Sequence, residues 1–167
     1  GYGLSQGRPS VTALISDAEQ VLAEIKRQVK ERYNQSECWV MGRSMGSIAA
    51  LHLAYGYPQE MRGFIIESGF ASVTRLITHF GIMDPNPRLK SIEEACLEMI
   101  GQIKLPALIL HGDRDTLVPW SEGKLIYDTL GSANKQMLTM PGASHNDIIF
   151  RDLPRYFGAI QEFINNC

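Results

Sequence analysis

Cysteine is scarce in this sequence, and its few thiols form no recognisable pairing or metal-binding pattern. Cys38, Cys96 and Cys167 are odd in number, and no two of them share a CxxC spacing. We therefore expect neither a disulfide framework nor a zinc site, and no cofactor is predicted. The cysteine usage favours a cytoplasmic location.

Long apolar runs and an excess of positive charge are also missing. No apolar run approaches the roughly 20 residues that are needed to cross a bilayer, so no membrane span is predicted. The net charge of -2 argues against a nucleic-acid binder, which would usually be basic. The 167 residues, 44% of them hydrophobic, instead fit one globular domain.

Helical and extended patterns alternate along the chain. Apolar residues recur at three- and four-residue steps over residues 10–33, which predicts an amphipathic helix. Short apolar runs predict buried strands at 37–41, 63–67, 105–111 and 135–140. Further helices are expected at 45–55, 72–80, 119–130 and 153–165. The alternation predicts an α/β fold, with a mostly parallel sheet and helices on both faces.

One more helix is expected before the third strand. Ser91 and Glu94 have the spacing of a capping box, which predicts that this helix begins at Ser91. The prolines in residues 84–87 predict a loop just before it.

The first predicted strand ends in a motif that suits a nucleophile. Gly42-Arg43-Ser44-Met45-Gly46 has the form Gly-x-Ser-x-Gly and leads directly into a helix. A serine at so sharp a turn is held in a strained conformation, and we expect both glycines to avoid collisions with the strand and the helix. The helix start offers backbone N–H groups for an oxyanion. Alone, the motif is weak evidence, because it also fits an ordinary glycine-rich turn.

The ends of the later strands supply the partners that such a serine requires. In parallel sheets functional groups collect at the carboxyl ends of the strands. The third strand is followed by Asp113 and Asp115, and the fourth by His145. A nucleophilic serine needs a base, and the base needs an acid that fixes its tautomer. The chain provides them in the order Ser44, Asp115, His145.

Several other residues carry the right chemistry but have simpler explanations. Asp113 is the alternative acid, or else braces its loop, and Asp147 is either a partner of the site or a surface carboxylate. We expect the remaining histidines to be structural or exposed and the remaining serines to bond locally. These residues are His52, His79, His111, Ser47 and Ser144.

The segments that contain Ser44, Asp115 and His145 together resemble those of the α/β-hydrolases. In that family the catalytic serine, acid and histidine occur in this order along the chain. Residues 111–119 resemble the family's segment around the acid, and residues 142–147 resemble its histidine loop. Residues 1–7 resemble the loop after the fourth strand of the family's sheet. The resemblance covers nearly the whole chain and favours Asp115 over Asp113 as the acid.

The resemblance also implies roles for further residues. The backbone N–H of Met45 would form half of the oxyanion hole. A single domain over residues 1–167 is implied, with a small lid-like insertion around 70–101 whose apolar side chains, Phe70 and Phe80 among them, are candidates for an acyl pocket. The substrate would be a small-molecule acyl ester, thioester or amide.

The family's first strands and its second oxyanion donor have no counterpart in this sequence. Residues 39–41 would then form an exposed apolar edge, which invites pairing with other chains. We therefore expect an upstream segment or another chain to cover this edge.

Three functions remain open on these grounds. The leading hypothesis is a serine esterase or thioesterase that forms an acyl-enzyme on Ser44. The rivals are a serine aminopeptidase-like amide hydrolase and a non-catalytic α/β-hydrolase scaffold that binds a ligand.

Overall fold

A computed structural model describes residues 3–33, 38–81 and 87–167 of the chain. Within these residues the strands are β1 (Trp39–Arg43), β2 (Gly63–Glu67), β3 (Ala107–Gly112) and β4 (Lys135–Met140). The helices are α1 (Val11–Tyr33), α2 (Gly46–Gly56), α3 (Val73–His79), α4 (Pro87–Gln102), α5 (Trp120–Thr129), α6 (Ile148–Arg151) and α7 (Leu153–Asn165). A short 3-10 turn, Pro58–Glu60, precedes β2.

The four strands form one parallel sheet in the order β1-β2-β3-β4. Arg43, the last residue of β1, is in register with Glu67, the last residue of β2. Gly112 and Met140, the last residues of β3 and β4, are likewise paired. All four carboxyl ends therefore meet at one edge of the sheet, which confirms the predicted α/β fold.

The two faces of the sheet are covered by different helices, as strand alternation requires. Phe64 and Ile66 of β2 pack with residues of α1, α2, α4 and α5 in one core cluster. Ile65, between them in the sequence, packs in a second cluster with residues of α6 and α7. Helices on both faces are thus confirmed.

The sequence placed most elements within two residues of their observed bounds, but one helix start was predicted wrongly and one short helix was missed. Ser91 and Glu94 lie inside α4, which begins at Pro87, so the capping box is not a helix start. Proline is favoured in the first turn of a helix, and this preference outweighs its role as a loop signal here. The four-residue helix α6 was not predicted. Residues 82–86 lie outside the described part of the chain.

Strand β1 is one of the two edges of the described sheet, and β4 is the other. Within the described residues β1 pairs with β2 alone, and a largely apolar groove of about 330 Å³ lies between β1, α1 and α2. Met41 is 46% exposed on this strand, whereas Trp39 is half-buried and packs edge-on against Phe163. The exposed edge is confirmed, and its covering by an upstream segment or another chain stays a prediction.

We expect the 167-residue chain, expressed by itself, to associate through β1. Met41→Lys places a charge on the open strand and should lower the weight-average mass measured by sedimentation at high protein concentration. Tyr55→Lys is the matched control, because Tyr55 is similarly exposed at 44% but lies near the end of α2. An equal effect of both substitutions would contradict association through the edge.

Candidate active site

Ser44 lies in the turn that joins β1 to α2 and adopts a left-handed backbone conformation, with φ of +51°. Such a φ is uncommon for a residue other than glycine and indicates local strain. Its N–H donates to the carbonyl of Glu67 at 2.9 Å, and its own carbonyl accepts hydrogen bonds from the N–H and hydroxyl of Ser47 at 2.9 and 2.6 Å. The neighbouring strand and the first turn of α2 therefore hold the strained residue in place.

The two glycines of the motif have different structural roles. A Cβ atom at Gly42 would lie 2.4 Å from the carbonyl oxygen of Gly46 and 2.7 Å from the Cβ of Ala50. The absence of a side chain at Gly42 therefore permits the close approach of β1 and α2. A Cβ at Gly46 would meet nothing within 4 Å beyond its own helix. The expectation that Gly46 also prevents a collision is wrong for the described residues, because its open side faces the groove beside β1.

Asp115 and His145 form a buried hydrogen bond at the same edge of the sheet. His145 Nδ1 lies 2.7 Å from Asp115 Oδ2. The other oxygen, Oδ1, accepts hydrogen bonds from the N–H groups of Leu117 and Val118 at 3.0 and 2.8 Å. A carboxylate held in this way orients the imidazole ring and favours the tautomer with its proton on Nδ1. In that tautomer Nε2 is the nitrogen that can accept a hydrogen bond.

The loop that carries His145 is fixed by the two remaining aspartates of the region. Asp113 accepts a hydrogen bond from the N–H of Gly142 at 2.6 Å and so links its own loop to the histidine loop. Asp147 accepts from the N–H of Ser144 at 2.6 Å and from Arg151 at 3.1 Å. The bond from Ser144 is the main reason that the pKa of Asp147 is lowered.

The other histidines make local contacts. His111 is fully buried, and its Nε2 lies 2.8 Å from the carbonyl of Val118. Burial lowers the pKa of His111, which favours the neutral ring beside Asp115. His52 Nε2 lies 2.8 Å from Glu19 of α1, and the exposed His79 lies near the carbonyl of Thr116. These contacts agree with the structural roles expected for the three residues.

Ser44 Oγ has no hydrogen-bond partner among residues 3–33, 38–81 and 87–167, so the serine and His145 are not bonded to each other in this structure. Hydrogen bonds between a nucleophile and its base are often long in unliganded enzymes. The two residues are connected indirectly, because the side chain of Arg43 donates to the carbonyl of His145 at 2.6 Å.

An apolar cavity of about 380 Å³ lies between α1, α2, α3 and α4, and none of Ser44, Asp115 and His145 lines it. Ile48, on the first turn of α2, and Ile77, on α3, line it together with Cys96 and Met99 of α4. Neither Phe70, which is fully buried, nor Phe80, which is exposed, contributes to this cavity. Their role in substrate binding stays a prediction.

No group of three or more histidine, cysteine, aspartate or glutamate side chains among the residues that the structure describes could hold a metal ion. Nor does any described helix have the length and apolar character needed to cross a membrane.

The comparisons with known proteins identify the family and the fold. Residues 2–167 match the family model described as Phospholipase/Carboxylesterase. This chain belongs to that family of α/β-hydrolases. Among solved structures it resembles an esterase of Pyrococcus furiosus, with a TM-score of 0.74, 20% identity and coverage of 98% of this chain and 66% of that one.

A second solved structure supports the same fold. A monoacylglycerol lipase of Paleococcus ferrophilus gives a TM-score of 0.69 at 15% identity, over 98% of this chain and 78% of the lipase. At such low identities the likeness shows the fold alone.

Curated relatives are more similar in sequence. An uncharacterized membrane protein of Saccharomyces cerevisiae is 30% identical over 98% of this chain and 57% of its own length. The alpha/beta hydrolase domain-containing protein 17C of Xenopus tropicalis is 28% identical over 99% of this chain and 50% of its own length. The chain thus spans about half the length of the curated relatives that it matches.

One buried group near the site was not predicted from the sequence. Glu67 ends β2, is 1% exposed, and contacts both Arg43 and Tyr156. The sequence does contain a signal for Glu67, namely a charged residue at the end of an apolar strand. A carboxylate buried in this position requires hydrogen-bond partners. The partners themselves are 24 and 89 residues away in the sequence and follow no local pattern.

The two glycines of the elbow give a direct test of its packing. In the 167-residue chain, Gly42→Ala should lower the free energy of unfolding by about 3 kcal/mol or more, because the new methyl group overlaps backbone atoms of α2. Gly46→Ala is the matched control and should be neutral or stabilising by about 0.5–1 kcal/mol, since alanine favours helix and meets open space. Urea denaturation measures both values. Equal losses would contradict the close approach at Gly42.

Proposed function

We propose that the protein is a serine hydrolase that cleaves acyl esters or thioesters, with Ser44 as nucleophile, His145 as base and Asp115 as the orienting acid. The observation that carries the proposal is the buried 2.7 Å contact between Asp115 and His145 at the sheet edge where Ser44 is strained. Membership of a hydrolase family supports the class of reaction.

The proposed reaction follows from the protonation pattern of this pair. With the proton of His145 on Nδ1, toward Asp115, Nε2 accepts the proton of Ser44 as Oγ bonds to the acyl carbon. The carbonyl oxygen becomes an oxyanion. The N–H of Met45 donates a hydrogen bond to no described residue and is available to stabilise this oxyanion. His145 then protonates the departing alcohol or thiol. In the second half of the reaction His145 takes a proton from water, the water oxygen bonds to the acyl carbon, and His145 returns the proton to Ser44 Oγ as the acid leaves.

The apolar cavity supports an acyl substrate. Its volume of about 380 Å³ falls within the range of ligand pockets, and its lining is predominantly apolar. Ile48, on the first turn of the helix that follows the elbow, is among the residues that line it. Because each buried methylene contributes about 0.8 kcal/mol, the cavity favours substrates with an extended hydrocarbon chain.

The nucleophile is tested with a fluorophosphonate probe on the full natural protein. Ser44 should be labelled stoichiometrically, and Ser44→Ala should abolish labelling and reduce ester hydrolysis on the order of 10³-fold or more. Ser68→Ala is the matched control, because Ser68 is the other serine with a left-handed backbone in the described part of the chain, at φ of +47°, and is fully buried. Labelling that persists in Ser44→Ala would refute the proposal.

The substrate class is tested by reducing the cavity. Ile77→Trp should lower kcat/KM for long-chain p-nitrophenyl esters about tenfold relative to the acetate ester, since the indole occupies space that the chain would fill. Thr78→Trp is the control on the adjacent, exposed position of α3, which does not line the cavity. An unchanged chain-length preference in Ile77→Trp would contradict binding of the acyl chain in this cavity.

Measurements of turnover and ligand binding on the same full natural protein distinguish the rival functions. Faster turnover of aminoacyl amides than of esters and thioesters would favour an aminopeptidase-like hydrolase. Saturable ligand binding without turnover or probe labelling would favour a non-catalytic scaffold. A cytoplasmic location stays a prediction.

A further inference from the structure

Arg43 connects the nucleophile elbow to the loop of the base. It is the residue immediately before Ser44, and strand alternation places its side chain on the sheet face opposite Gly42 and α2. Its guanidinium donates to the carbonyl of His145 at 2.6 Å and to the side-chain oxygen of Asn146 at 3.2 Å. The same group donates through Nε to Glu67 at 2.8 Å.

Glu67 fixes the orientation of this guanidinium. Its side chain is buried, and its two oxygens are occupied by Arg43 on one side and by the hydroxyl of Tyr156 on the other. Tyr156 is itself buried on α7, and burial followed by this hydrogen bond raises its pKa, so the hydroxyl stays protonated and donates. Residues of β1, β2 and α7 thus fix the orientation of the planar guanidinium of Arg43.

His145 is consequently held at two points. Asp115 holds the ring at Nδ1, and Arg43 holds the backbone carbonyl of the same residue. Because Arg43 is covalently adjacent to Ser44, its contact with His145 links the backbone positions of Ser44 and His145. A misplacement of about 1 Å between reacting groups can reduce a rate roughly 100-fold.

We propose that Arg43 is a positioning residue that holds His145 relative to Ser44, and that Glu67 and Tyr156 hold Arg43 in the required orientation. This inference rests on the proposed function. A purely structural ion pair between the 43% exposed Arg43 and the buried Glu67 is the competing explanation. It makes a different prediction, since neutral residues can often replace such a pair without loss of stability.

The experiment compares kcat, KM and the rate of fluorophosphonate labelling in variants of the full natural protein. Arg43→Met removes the fork but leaves Glu67 uncompensated, so it should lower stability and kcat together. In the double variant Arg43→Met/Glu67→Gln the melting temperature should recover, whereas kcat and the labelling rate should stay reduced about 10- to 100-fold with KM nearly unchanged.

Two further variants keep the test independent of folding. Arg43→Lys keeps the charge but cannot reach Glu67 and the carbonyl of His145 with one rigid fork, so kcat should fall while the fold is retained. Tyr156→Phe removes only the hydroxyl that holds Glu67 and should lower kcat several-fold in the same direction. Arg75→Lys is the matched control, because Arg75 bridges Glu122 and Glu93 between helices without contacting the site, and its kcat for a short ester should be unchanged.

The outcomes distinguish the inference from the function on which it rests. Wild-type kcat and labelling rate in both Arg43→Lys and the double variant would overturn the positioning role while leaving Ser44 as the nucleophile. An equal loss of kcat in Arg75→Lys would also overturn it. A wild-type protein that the probe does not label at Ser44 would overturn both proposals.

Discussion

The in-register pairing of four parallel strands is the constraint on which the rest of this structure depends. Arg43 pairs with Glu67, and Gly112 pairs with Met140, so the carboxyl ends of the strands form one edge. The turns that follow β1, β3 and β4 therefore begin close together, although the residues that they carry are up to 101 positions apart in the sequence, from Ser44 to His145. A slip of one residue in β1 would reverse the faces of Gly42 and Arg43 and would destroy both the elbow and the link to the histidine loop.

Charge is used sparingly inside the fold and mostly at this edge. Asp115 and Glu67 are both buried, and each has its oxygens occupied by donors from different elements. Such groups are costly to bury unless all their hydrogen bonds are made. Their hydrogen bonds fix the directions of the side chains of Arg43 and His145.

The sequence predicted the parts of the molecule that depend on local patterns. The bounds of β2, β4 and α7 follow from apolar runs and periodicity, and the sequence order of Ser44, Asp115 and His145 follows from strand ends. The start of α4 was mistaken because Pro87 suits both a loop and a first helical turn, and a capping-box spacing at Ser91 competed with it. The bonds among Arg43, Glu67 and Tyr156 were not predictable, because they depend on tertiary contacts across β1, β2 and α7.

The central claim is that Ser44 carries the acyl group during turnover, and trapping that intermediate tests it most directly. The full natural protein is mixed with p-nitrophenyl acetate, quenched in acid within milliseconds and analysed by peptide mass spectrometry. The account predicts an added acetyl group on the peptide containing Ser44, located on Ser44 by fragmentation and absent in Ser44→Ala. An acetyl group on another residue, or turnover without any covalent intermediate under conditions in which deacylation is slow, would contradict it.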